Sequence, residues 1–182
     1  MFISLLHPGL ALLAGLGLTM PSRIPFRPLQ RETTINTKST PPRVQREYET
    51  WTWKSNHGSF RINYRVEGPK DGQPILLSHG FGANVNHFRH QFPALVSEGY
   101  RVYAMDFLGF GASEKPANVP YSIDFFTQQM IDFVATHDSD SKWILIGNSM
   151  GGLCSLNAAA KIEKSFVPPF GIAAVVLFNS GK

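Results

Sequence analysis

The segment KWILIGNSMGGLCSLNAAAKI, residues 142–162, constrains the fold of this chain more than any other. A continuous apolar run ends at Gly147, and small, helix-favouring residues follow Ser149. Short apolar runs of this kind are typical of strands buried on both faces, as in a parallel sheet. The chain must then turn sharply from strand into helix, with Ser149 at the tip. Gly147 and Gly151, two before and two after the serine, leave space for the crowding that such a turn creates.

Other segments repeat the theme. Tyr48 to Lys54 and Ser59 to Glu67 alternate and are rich in aromatic and β-branched residues, so they read as two antiparallel strands joined around SNHG. PILLSHG is a buried strand, and 86–98 reads as a helix with Phe88, Phe92, Leu95 and Val96 as its apolar face. YRVYAMDFLG is another strand. Ser122 is placed to cap a helix in which Ile123, Phe126, Met130 and Val134 share one side. KWILIG, the helix from Ser149 to Ile162 and a last buried strand, IAAVVLF, complete the pattern. Strands alternating with helices after an antiparallel start predict an α/β domain over 47–182. Its sheet is mostly parallel, with helices on both faces. Ligands bind such sheets at the carboxyl ends of the strands. SHGFGAN, DFLGFGASEKP and GNSMGG all follow strands and fall on that edge.

Charge is unevenly placed. Residues 1–46 hold six basic residues against Glu32, a balance of +5. Of the chain's 17 basic and 13 acidic residues, the other 11 and 12 leave −1. The globular part is therefore near neutral, which argues against a nucleic-acid-binding face. One cysteine, Cys154, excludes a disulfide framework and a cysteine-rich zinc site. No window holds the roughly 20 apolar residues of a membrane span. Leu10 to Met20 has the length of a signal h-region, and the Ser/Thr/Arg-rich, acid-poor stretch from Pro21 resembles a transit peptide. The pair suits a two-part plastid address. A secretory signal, a mitochondrial address and a disordered leader are the alternatives, and no Lys or Arg precedes the apolar run.

The candidate chemistry lies at the serine. Gly147-Asn148-Ser149-Met150-Gly151 matches G-x-S-x-G, a pattern that presents a nucleophilic serine on a strand-to-helix turn. An oxyanion hole needs two backbone donors converging on one oxygen. The Met150 amide is one candidate. The Phe81 amide, in the loop after the preceding parallel strand, is the other. His79 reads as a loop-packing residue, and His87, His90 and His137 fall on or near helices.

His79-Gly80-Phe81-Gly82, Asp106-x-x-Gly109-x-Gly111-x-Ser113 and Gly147 to Gly152 together resemble the α/β-hydrolase superfamily, from about Tyr48 to the end. FLGFGASEKP and GNSMGG are similar to the branch of epoxide hydrolases, haloalkane dehalogenases and plant and algal plastid serine hydrolases such as pheophytinase. The first two use an aspartate nucleophile. Serine at 149 implies instead hydrolysis of an ester, thioester or lipid acyl bond in a small-molecule or lipid substrate, with no metal or organic cofactor. The resemblance implies structural roles for Asp106, Gly109 and Gly111. In this family an acid and then a histidine follow the serine, yet no histidine follows Ser149 and Asn179-Ser180 supplies no carboxylate. The lid and last two strands of the family sheet are also missing. The chain thus reads as the C-terminally incomplete N-terminal portion of a hydrolase, inactive alone. A non-catalytic or binding product and a lyase-type variant of the fold stand as alternatives.

Overall fold

The computed structural model describes residues 48–164 and 171–179. The leader expected at 1–46 lies outside the described residues. Among the described residues, six strands form one mixed sheet: β1 (Tyr48–Ser55), β2 (Gly58–Glu67), β3 (Pro74–Ser78), β4 (Arg101–Met105), β5 (Lys142–Asn148) and β6 (Gly171–Phe178), in the order β1-β2-β4-β3-β5-β6. β1 pairs antiparallel with β2, and β2 with β4. The pairs β3–β4, β3–β5 and β5–β6 are parallel. The antiparallel entry and parallel centre agree with the sequence pattern.

Strand alternation divides the interior into two layers. Leu76, Tyr103, Met105, Trp143 and Leu145 face one side, where they pack with Phe126, Phe133 and Ala158. These last come from α2 (Ile123–His137) and α3 (Met150–Lys164). Ile75, Leu77, Val102 and Ala104 face the other side, against Phe88 and Phe92. Successive strand residues point to opposite faces, so the apolar runs of β3 and β4 are explained by burial on both.

Ser122 caps α2 as expected: its hydroxyl accepts from Phe125 N–H at 3.2 Å. Phe126, Met130 and Val134 are buried and Ile123 packs against the same core. The helix expected at 86–98 is broken. A 3₁₀ turn spans Val85–Phe88, and α1 covers only Gln91–Ser97. Pro93 is the reason. Inside a longer helix it would remove the bond to Arg89 and clash there, whereas in the first turn of α1 its missing N–H has no intrahelical acceptor to lose. Phe88, Phe92, Leu95 and Val96 nevertheless share one covered face. Among the described residues no helix is long and apolar enough to cross a membrane.

Candidate active site

Ser149 sits alone between the last residue of β5 and the first of α3. Its φ is 52°, in the left-handed region; among the described residues only Asn179 is another non-glycine there. An L-residue in this region is disfavoured by about 1–2 kcal/mol. Three backbone bonds hold it. Ser149 N–H donates to Phe178 O on β6 at 2.8 Å. Ser149 O accepts from Gly152 N–H at 2.9 Å and Leu153 N–H at 3.2 Å, opening α3. The side chain of Ser149 is exposed.

The flanking glycines are spatial necessities. A Cβ at Gly147 would run into the backbone of Gly151 and Gly152. One at Gly151 would run into the carbonyl oxygens of Ser78 and His79 at the end of β3. The two positions therefore let α3 start directly over the β3 loop.

That loop lies against the serine. A Cβ on Gly80 would stand 3.2 Å from Ser149 Cβ. A tight turn follows, with Ala83 N–H donating to Gly80 O at 3.2 Å and Gly82 at φ 73°. Phe81 is at the turn's outer corner, 82% exposed. Among the described residues, none accepts a hydrogen bond from Phe81 N–H. Met150 N–H is the first of α3, where no intrahelical acceptor is available.

His79 and Asp106 hold this loop in place. His79 is buried. Its Nδ1 lies 2.7 Å from Gly80 O, and Nε2 lies 3.1 Å from Phe107 N. The Phe107 N–H must donate, so Nε2 accepts and the ring proton sits on Nδ1. Burial pushes the His79 pKa down, against the opposing pull of Gly80 O and Asp106. A neutral imidazole thus ties the β3 and β4 loops together. Asp106 Oδ1 accepts from Val85 N–H at 2.7 Å. Its Oδ2 accepts from Asn63 Nδ2 at 2.9 Å and Ala112 N–H at 2.8 Å. A Cβ at Gly111 would collide with this carboxylate. Asp106 and Gly111 are loop-holding residues.

Other candidate groups lie elsewhere. His137 ends α2 and stacks on Phe133 with centroids 3.8 Å apart. His57 occupies the β1–β2 turn, edge-on to Phe125, and His87 lies on the 3₁₀ turn. Cys154 is buried, and burial pushes its thiol up to about 11. Among the described residues, no histidine or carboxylate hydrogen-bonds the Ser149 hydroxyl.

Two features were missed by sequence reasoning. Asn179 Nδ2 donates to Asn148 Oδ1 at 3.3 Å, linking the ends of β5 and β6 beside the serine. Tyr121 lies over Gly109, where a Cβ would stand 2.6 Å from its ring. It walls a cavity of about 680 Å³ that also touches Phe81, Phe110, Ile123, Phe126 and Met150. Neither pairing has a local sequence signal.

A mixed sheet carrying a left-handed serine at the tip of a strand-to-helix turn defines the class. The chain belongs to the alpha/beta hydrolase fold family, whose profile matches residues 73–180. It is 37% identical over 107 residues to 2-hydroxy-6-oxo-6-(2'-aminophenyl)hexa-2,4-dienoic acid hydrolase of Metapseudomonas resinovorans, covering 57% of this chain and 36% of that protein. It is also 37% identical over 104 residues to Lipase 1 of Psychrobacter immobilis, covering 57% of this chain and 32% of the lipase. The tetrameric haloalkane dehalogenase of Paraglaciecola agarilytica superposes with a TM-score of 0.60 at 26% identity, covering 71% of this chain and 42% of that one. The chain thus matches about a third to two fifths of the length of these proteins.

Proposed function

We propose that this protein is a serine hydrolase in which Ser149 attacks the carbonyl of an ester, thioester or lipid acyl bond. The observation that carries the reading is the left-handed Ser149 between β5 and α3, with the Gly80–Phe81 turn packed against it. In this reading the hydroxyl proton passes to a base, and Ser149 Oγ bonds to the acyl carbon. The carbonyl oxygen becomes an oxyanion received by the N–H groups of Phe81 and Met150. Loss of one such donor slows acyl transfer on the order of 10²–10³-fold. The alcohol or thiol leaves with a proton, and water then releases the acid from the acyl-serine.

A serine at this position favours acyl over alkyl transfer. An alkyl group moved to a serine oxygen would form an ether, which water does not readily cleave, whereas an acyl-serine is an ester open to the same attack that formed it. The hydrolases and lipases among the relatives support a hydrolytic reading. The base and the acid that orients it come, in this reading, from outside the described residues.

The test is labelling by a fluorophosphonate probe. Adduct at Ser149, abolished in Ser149→Ala, is the expected outcome. A folded protein that contains the base and its orienting acid yet carries no adduct overturns the assignment and leaves a non-catalytic or lyase-type member of the fold.

A further inference from the structure

We infer that the cavity walled by Phe81, Phe110, Tyr121, Ile123, Phe126 and Met150 receives the apolar chain of the acyl group, with Tyr121 and Ile123 among the walls that grip it. The inference rests on the Ser149 reading for the word acyl, and on the cavity alone for the binding of an apolar chain. Phe81, in the loop after β3, and Met150, the first residue of α3, both line the cavity, so a carbonyl held at their N–H groups would place its substituent at the cavity wall.

Among the described residues the lining holds four aromatic rings, an isoleucine and a methionine, and no charged side chain. The lining hydroxyl of Ser122 is engaged in capping α2. Such a cavity favours a hydrocarbon chain and disfavours a charged one, which would lose its hydration without a partner. Its volume of about 680 Å³ falls within the range of small-molecule sites.

The walls are also braced. Phe110 meets Phe81 edge-on at 5.4 Å and Phe126 at 5.9 Å between centroids. Tyr121 OH donates to Pro116 O at 2.5 Å, and its ring lies on Gly109, a position no side chain could share. A second cavity, at the β1–β2 turn, has a different character. It is lined by charged side chains: Lys54 and Lys161, the latter paired with Asp124, and Asp132, which accepts from Trp53 Nε1 and Gln128.

The experiment compares methyl hexanoate with methyl propanoate, binding each to the Ser149→Ala full chain and reading affinity by ligand-observed NMR. Each buried methylene strengthens binding by a factor of about four. With partial exposure of a three-methylene difference, hexanoate should bind on the order of tenfold more tightly. In the same background, Ile123→Trp fills the cavity and Tyr121→Ala removes a wall. Both should shrink the preference to about threefold or less, with circular dichroism confirming the fold. Equal binding of the two esters, or a preference that survives both substitutions, overturns the inference. Fluorophosphonate labelling of the unsubstituted protein, with its base and orienting acid present, reads Ser149 separately. Labelling without chain-length preference sinks the cavity alone, and preference without labelling sinks the nucleophile alone.

Discussion

Replacing Ser149 by alanine and by glycine isolates the strain at the turn. Both variants remove a hydroxyl that hydrogen-bonds no described residue. Alanine must still adopt φ near 52°, at about 1–2 kcal/mol for an L-residue. Glycine escapes that term but loses roughly 0.5–1 kcal/mol more backbone entropy on folding. The difference leaves Ser149→Gly more stable than Ser149→Ala by about 0.5–1 kcal/mol, or roughly 2–4 °C in Tm for a domain of this size. A control reverses the sign. Ala160 is exposed on α3 with helical backbone, so Ala160→Gly should destabilise by about 1 kcal/mol. Urea unfolding followed by tryptophan fluorescence reads all three, because Trp53 and Trp143 are buried. If glycine at 149 destabilises relative to alanine as it does at 160, Ser149 is not left-handed in solution. The strained turn, and the serine presentation built on it, would then be wrong.

Three further outcomes are expected. Burial holds the pKa values of His79 and His137 below the usual 6.5. The unfolded chain therefore binds protons first as pH falls through about 6.5, so stability present above that pH is lost below it and levels off beneath the folded values. His137→Phe keeps a ring on Phe133 but removes one titrating group, so the acid-side slope of unfolding free energy should flatten in urea titrations run at a series of pH values. Asp106→Asn removes one of the two oxygens that between them accept from Val85, Asn63 and Ala112, and should destabilise the fold by roughly 2–4 kcal/mol in the same assay. Residues 1–46, fused to a fluorescent reporter, should carry it to a plastid, and a diffuse cytosolic signal would refute the proposed address.

Much of the turn at Ser149 was legible because its demands are local. A left-handed residue, with glycines two before and two after it, is a backbone requirement written within five positions. The Ser122 cap and the alternation of β3 and β4 were readable for the same reason, since each depends on near neighbours. The break before α1 was also present in the sequence, at Pro93, but the apolar spacing of Phe88, Phe92, Leu95 and Val96 suggested one continuous helix. That spacing survives because a 3₁₀ turn and a short helix can present the same side chains to one sheet face.

Other features belong to the tertiary structure. Asp106 draws hydrogen bonds from Asn63, Val85 and Ala112, three segments that sequence spacing does not relate. The close approach of Gly80 to Ser149 exists because β3 and β5 are neighbours in the sheet, although β4 and two helices come between them in the chain. The cavity under Tyr121 requires the loop after β4, the start of α2 and the start of α3 to converge. By itself the sequence determined the local conformations, because φ preference, capping and alternation act over a few residues. The sheet order decided which loops meet at the serine, because that depends on the burial of side chains far apart in the chain.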